Sequence, residues 1–149
     1  MDKRQTVLIL CSKNSARSQM AEALLRKHAG DRFDVHSAGL ESDQVHPMVP
    51  RVMSEVGIDV SEQRSKNVEE YLGHLPVYYL IIVCASAEKR CPAIFPGMFE
   101  RLFWPFDDPA AVEGSEEEQL AVFRRVRDEI DQKLQAWLAE IDSRTSATS

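Results

Sequence analysis

A short apolar strand that runs directly into a polar loop and a helix constrains this chain more than any other feature. The strand is predicted over residues 7–10, with sequence VLIL, and the loop over residues 11–17 reads CSKNSAR. A helix is predicted from residue 18 to about residue 29. Amide groups at the start of a helix point towards a bound anion, and the helix dipole favours negative charge there. The sequence therefore predicts a loop that grips an oxyanion.

Two residues of this loop supply reactive chemistry. The planar guanidinium of Arg17 can bind two oxygens of a tetrahedral anion at once. The helix N-terminus and this positive charge are expected to lower the pKa of the Cys11 thiol from about 8.5 into the range of roughly 3.5–7.5. A buried cysteine that merely ends a strand is the alternative. The favoured interpretation is a thiolate nucleophile surrounded by the oxyanion-binding residues Ser12, Lys13, Asn14, Ser15, Ala16, Arg17 and Ser18, with the Ser18 hydroxyl as a donor to the thiolate.

Two further cysteines favour the reactive interpretation. Cys84 follows a predicted strand over residues 78–83, and Cys91 comes seven residues later. Because the carboxyl ends of parallel strands meet at one edge of a sheet, we expect Cys84 and Cys11 in the same crevice. If residues 84–91 are helical, the Cα atoms of Cys84 and Cys91 are roughly 10.5 Å apart, whereas a disulfide needs about 6.8 Å or less. The pattern indicates a redox couple whose oxidation reshapes a loop.

Strands and helices alternate along the rest of the chain. This alternation predicts an α/β fold with a single parallel sheet covered by helices on both faces. We expect one domain over residues 1–143 and a flexible tail over residues 144–149. The further predicted elements are strands at 33–37 and 101–104, helices at 48–56 and 116–141, and a shorter helical turn at 68–72.

Composition excludes several classes of protein. The chain has 149 residues and a formal net charge of −6, which disfavours nucleic acid and anionic membranes as partners. It contains no apolar stretch close to the roughly 20 residues that cross a membrane. Its three cysteines fit a reducing cytoplasm. No histidine has a partner at the spacing of a metal site, so we expect no metal and no cofactor. We also expect a monomer, because no exposed apolar stripe is left over once the helices pack.

The chain resembles the thioredoxin-coupled arsenate reductases, which share their fold with the low-molecular-weight protein tyrosine phosphatases. The resemblance covers roughly residues 6–141 and implies a four-stranded parallel sheet in the order 2-1-3-4. It rests on several sequence motifs spread along the chain. These motifs are residues 11–22, 36–40 and 56–59, Cys84 with Cys91 and Pro92, Trp104, residues 106–109 and residues 123–130.

A thiol relay is what the resemblance implies for mechanism. Cys11 would attack arsenate, and Asp108 would act as the general acid that protonates the departing oxygen. Cys84 would then attack Cys11 and release arsenite, and Cys91 would attack Cys84 to leave a disulfide that thioredoxin reduces. An Asp before a proline also commonly starts a turn, so either Asp107 or Asp108 could have only that role.

The chain departs from the family pattern inside the loop. Ala16 stands where many relatives have a second cysteine, so the relay has no spare thiol. Lys13 stands where many relatives have a glycine. Its ammonium could add positive charge at the mouth of the loop, or it could simply be a solvated loop residue.

A further departure concerns a potassium site that some family members have near the loop. Three residues match the ligands of that site, namely Asn14, Glu22 and Ser37. The fourth position carries Lys66, and a lysine there would repel a cation. We expect the Lys66 ammonium to replace the ion and to pair with Glu22.

Two other functions are compatible with the same residues. The loop and the acid could hydrolyse phosphate monoesters through a phosphocysteine, although Asp108-Pro109 is followed by Ala-Ala-Val rather than by the tyrosines that usually sandwich a phosphotyrosine ring. Alternatively, three thiols could bind arsenite or zinc. The cysteines lack the spacing of two to four residues that is typical of structural zinc sites, which disfavours this third function.

Overall fold

The protein is an α/β domain built on one four-stranded parallel sheet. The computed structural model describes residues 4–41, 43–71, 75–85, 87 and 98–148. The strand order is β2-β1-β3-β4, and all three strand pairings are parallel, which confirms the predicted architecture and order. The strands are β1 (Gln5–Cys11), β2 (Phe33–Gly39), β3 (Tyr79–Ile82) and β4 (Glu100–Phe103).

Three α-helices accompany the sheet in the described part of the chain: α1 (Arg17–Ala29), α2 (Met48–Ser54) and α3 (Glu116–Thr148). Helix α2 is shorter than the predicted 48–56. Helix α3 continues past the predicted end near residue 141, so residues 144–148 are helical, and the domain limit at residue 143 stays a prediction. The turn expected at 68–72 is the short 3-10 helix Val68–Glu70, and a second one spans Pro109–Ala111.

The central strands are buried on both faces. The four consecutive residues 7–10 of β1 are 0% exposed. Because neighbouring strand residues point to opposite faces, both faces of the sheet are covered. One stripe of α3 packs into the same core, as its helical spacing predicts: Leu120, Phe123, Val126, Ile130, Leu134 and Trp137 are buried.

Strand register brings the ends of three strands to one edge of the sheet. Cys11, the last residue of β1, pairs with Gly39 of β2. On the other side, Leu10 pairs with Ile82 of β3, so Cys84 follows at the same edge. The loop between β1 and α1 crosses this edge. None of the described helices is both long enough and apolar enough to cross a membrane.

Candidate functional site

The loop between β1 and α1, residues 11–16, has all of its backbone carbonyls held by donors from outside the loop. Four of these donors are backbone amides and two are side chains. The bonds are Leu40 N to Cys11 O (3.2 Å), Glu41 N to Ser12 O (2.9 Å), Ser65 Oγ to Lys13 O (2.9 Å), Gln19 Nε2 to Asn14 O (3.0 Å), His46 N to Ser15 O (3.0 Å) and Met20 N to Ala16 O (2.9 Å).

This arrangement aims the loop amides inward. In a trans peptide the N–H points opposite to the preceding carbonyl, and the described chain contains no cis peptide bond. The amides of residues 12–17 therefore face away from those outside donors. Helix α1 begins at Arg17 without a capping side chain and without an acidic residue in its first turn. The loop is thus a ring of donors at the positive end of a helix, suited to an oxyanion.

Asn14 fixes the shape of the loop from below. It is fully buried and has a φ of 53°, in the left-handed region that asparagine tolerates better than most residues. Its amide nitrogen donates to Ser18 Oγ (2.8 Å) and to Ser37 Oγ (2.9 Å). Its amide oxygen accepts from Gln19 Nε2 (2.9 Å) and from Lys66 N (2.8 Å). Ser18, expected to donate to the thiolate, thus accepts from Asn14.

Gly39 allows the loop to lie directly against β2. A Cβ atom at this position would come within 2.7 Å of both the nitrogen of Asn14 and the carbonyl carbon of Lys13. Atoms of the backbone cannot yield to such a contact without moving the loop. The glycine is therefore required by the close approach of two backbones.

Cys11 and Cys84 are both buried and are not joined in a disulfide, and their thiols lie close enough to interact. Ser12 Oγ lies 3.2 Å from Cys84 Sγ. The pKa of Cys11 is raised, first by its hydrogen bond with Cys84 and then by burial, while the charge of Arg17 and the amide of Ser12 lower it. The expectation of a lowered pKa is therefore wrong for this arrangement, because the hydrogen bond with Cys84 and burial favour the neutral thiol more than Arg17 and the Ser12 amide favour the thiolate.

Arg17 connects the loop to the segment that carries Asp108. Its Nη1 donates to the carbonyl of Phe106 at 3.0 Å, and its Nη2 lies 3.7 Å from Asp108 Oδ2. Asp108 also caps the following 3-10 helix by accepting from the amide of Ala110 at 3.0 Å. Asp107 points elsewhere, towards Arg125 at 3.2 Å. Asp108 therefore both starts the turn before Pro109 and contacts the arginine of the loop.

A cleft of about 420 Å³ opens above the loop. His46 is one of the residues that line this cleft. It was not predicted as a site residue, because nothing in the sequence around Pro47 indicates that His46 reaches the loop. Lys13 lies at this cleft as an exposed residue. The lining residues are Cys11, Ser12, Lys13, Ser15, Ala16, Arg17, Asp43, His46, Asp108 and Ala110. Cys91 lies outside the described residues.

A buried ion pair lies beneath Asn14. Lys66 Nζ is 3.1 Å from Glu22 Oε1, and the two side chains are 10% and 3% exposed. Ser37 Oγ donates to the same carboxylate oxygen at 2.6 Å, and Arg26 Nη1 donates to the other at 3.0 Å. A potassium ion does not fit this residue set, since the ammonium already pairs with the carboxylate oxygen that would bind the ion.

Known proteins resemble this chain over most of its length. The sequence profile of the low molecular weight phosphotyrosine protein phosphatase family matches residues 6–147. An arsenate reductase of Halalkalibacterium halodurans is 44% identical over 134 residues, which are 90% of this chain and 95% of that protein.

Solved structures of arsenate reductases are also similar to this chain over most of its length. A structure described as an arsenate reductase in the oxidized state superposes with a TM-score of 0.77 at 31% identity, over 92% of this chain and 98% of the other. A thioredoxin-dependent arsenate reductase of Corynebacterium glutamicum superposes with a TM-score of 0.69 at 28% identity, over 93% of this chain and 62% of the other.

Replacement of Cys84 by alanine should lower the pKa of Cys11, because it removes the hydrogen bond and the like charge that raise it and leaves Arg17 and the Ser12 amide. The comparison is made in a Cys91→Ser background, so that Cys11 is the only thiol of the test variant. The pH dependence of alkylation by iodoacetamide gives the pKa. An unchanged or higher value in the alanine variant would contradict the pair interaction.

Replacement of Lys66 by methionine should lower the free energy of unfolding by about 3 kcal/mol, because it leaves the Glu22 carboxylate buried without one of its cations. Urea denaturation measures the loss. The exposed Lys27→Met makes the same chemical change at the surface of α1 and should cost little. Adding Glu22→Gln to Lys66→Met should restore part of the lost stability; a further loss would argue against the ion pair.

Proposed function

The chain belongs to the arsenate reductases of the low molecular weight phosphotyrosine protein phosphatase family, and from this membership we propose that it reduces arsenate to arsenite with its own thiols. The position of the Cys84 thiol carries the proposal: it is buried beside the anion loop, 3.2 Å from Ser12 Oγ, and it acts on the thiol of Cys11. Hydrolysis of a phosphate ester needs one cysteine at this place. A second thiol against the first is what a reductase needs, because two electrons must come from two sulfur atoms.

In the first step, the Cys11 thiol loses its proton, and its sulfur attacks the arsenic of an arsenate held by the loop amides and Arg17. An As–S bond forms, and one arsenate oxygen leaves as water. Asp108, which faces Arg17 across the cleft, supplies a proton to that oxygen as general acid. The loop donors stabilise the charge on the remaining oxygens.

In the second step, Cys84 as thiolate attacks the sulfur of Cys11. The S–S bond forms as the As–S bond breaks, and the electron pair of that bond stays on arsenic, which leaves as arsenite. Cys91 then attacks Cys84 and restores the Cys11 thiol. A dithiol reductant returns the Cys84–Cys91 disulfide to two thiols, so that each turnover consumes two electrons.

Formation of the adduct also removes the repulsion between the two thiolates. Once its sulfur is bonded to arsenic, Cys11 carries no negative charge, so a thiolate on Cys84 meets no like charge there. The second nucleophile can therefore act next to the sulfur that it attacks.

We propose thioredoxin as the reductant. The family resemblance supports this choice, and so does the similarity to the thioredoxin-dependent arsenate reductase of Corynebacterium glutamicum. The relay needs thiols that are kept reduced, which favours the cytoplasm. We expect the enzyme to act as a monomer.

Phosphate monoester hydrolysis is the second candidate. The anion loop and Asp108 provide a nucleophile and an acid for it, and the family includes phosphotyrosine phosphatases. The cleft is lined by Ala110 next to the acid, and residues 110–112 read Ala-Ala-Val. Among the described residues that line this cleft there is no tyrosine, phenylalanine or tryptophan to sandwich an aryl phosphate, so we expect hydrolysis to be a weak side reaction.

Arsenate-dependent oxidation of NADPH in the presence of thioredoxin and thioredoxin reductase tests the relay. The wild type should turn over steadily. Cys91→Ser should stop after about one turnover, because the oxidation stays on the Cys11–Cys84 pair, as expected for a thiolate relay. Cys11→Ser, measured alongside, should show no turnover.

Hydrolysis of p-nitrophenyl phosphate decides between the two candidates. Brisk hydrolysis that Cys91→Ser leaves unchanged, together with no arsenate turnover, would identify a phosphatase and refute the reductase proposal.

The Lys66–Glu22 pair should make turnover insensitive to potassium, because the tethered ammonium already neutralises the carboxylate beneath the loop. Replacing sodium by potassium at constant ionic strength should leave kcat and KM for arsenate unchanged. A clear increase in turnover with potassium would refute this expectation.

A further inference from the structure

His46 joins the anion loop to two helices. Its backbone N–H donates to the Ser15 carbonyl at 3.0 Å, one of the six outward-held carbonyls of the loop. The centroid of its ring lies 4.8 Å from that of Phe123 on α3. The residue also lines the cleft together with Cys11 and Asp108. A movement of His46 would therefore change the position of the Ser15 carbonyl and with it the shape of the loop.

The ring of His46 is held by a specific hydrogen bond. Its Nδ1 accepts from the backbone N–H of Met48 at 3.2 Å, at the first residue of α2. Pro47, between them, has no N–H to offer. Acceptance at Nδ1 needs a lone pair, so this bond requires the neutral ring with its proton on Nε2.

We propose that His46 is a positioning residue of the anion loop: its unprotonated Nδ1 holds the turn from His46 to Met48, and this turn keeps the Ser15 carbonyl directed away from the cleft. Release of that carbonyl would let its negative end turn towards the bound oxyanion. This inference rests on the proposed function only to the extent that the loop binds an oxyanion.

Protonation of His46 acts against this arrangement, because an N–H at Nδ1 would face the N–H of Met48. Burial lowers the pKa of His46, and the charge of Asp108 raises it by a smaller amount. The folded state thus takes up this proton less readily than the unfolded state. Stability is lost as the pH falls through the ordinary pKa of histidine towards the lower folded value. The other titratable groups that face the same cleft are Cys11, Lys13, Arg17 and Asp43.

Two variants separate the proposed role from a merely polar ring. The His46→Asn variant would place an amide oxygen close to the position of Nδ1, accept from the Met48 N–H in an Asx turn, and not titrate. His46→Gln keeps a polar side chain of similar reach, but its amide lies one methylene further out and does not match Nδ1. Thermal unfolding checks that both variants are folded.

Calorimetric binding of sulfate measures the effect without any turnover, from about pH 8 down to about pH 5. We expect wild type and His46→Asn to bind equally at the upper end. In acid, the wild type should lose roughly threefold to tenfold in affinity relative to His46→Asn, the size expected for one hydrogen bond. His46→Gln should be weaker by a similar factor over the whole range. The same ranking is expected for kcat/KM with arsenate.

If wild type and His46→Asn lost sulfate affinity in parallel as the pH falls, the proposal would be overturned. Tighter sulfate binding by the wild type in acid would also overturn it, because the charge of the ring would then outweigh its effect on the loop geometry. Wild-type affinity in His46→Gln would also overturn it. An intact ranking of sulfate affinities without arsenate turnover would count against the proposed function and not against the role of His46.

Discussion

The outward-held carbonyls of residues 11–16 are the constraint on which the site depends. Each peptide of the loop can present either its oxygen or its N–H to the cleft, and an oxyanion is stabilised only by the second. The donors come from α1, from the segment after β2, and from His46 and Ser65. Parts of the chain far apart in sequence must therefore pack correctly before the loop can bind an anion. Binding competence is in this sense a property of the whole fold.

The buried carboxylate of Glu22 organises the layer beneath the loop. It accepts hydrogen bonds from Ser37, Lys66 and Arg26. The hydroxyl of Ser37 in turn accepts a hydrogen bond from the side-chain amide of Asn14. Desolvation of a charge is costly, and here the cost is offset by two cations and a hydroxyl donor. Asn14 can keep its left-handed backbone because every polar atom of its side chain has a partner in this layer. The buried, hydrogen-bonded side chains of this layer thus hold the loop in one geometry.

Sequence patterns predicted the strands, the main helices and the stripe of α3, because hydrophobic periodicity is a local property. The sheet order came from the family resemblance. The pKa of Cys11 was predicted in the wrong direction, since it depends on contact with Cys84, which the fold brings from 73 residues away. Two helix ends differ from the prediction. Helix α2 ends two residues early, at Ser54, which is the usual variation of a helix boundary. Helix α3 continues to Thr148, and Arg144 in its last turns pairs with Glu140 and Glu100. The contact of His46 with Ser15 left no local signal.

The pairing of β1 with β3 has one more consequence. Neighbouring strands lie about 4.8 Å apart, and a disulfide joins Cα atoms separated by about 4.4–6.8 Å. The ladder of β1 and β3 extends past its last paired residues through the bond from Val83 N to Leu10 O, at 3.0 Å. Cys11 ends β1, and Cys84 follows two residues after the end of β3 on the neighbouring strand. The first sulfur–sulfur bond would therefore join two chain segments that backbone hydrogen bonds already hold side by side.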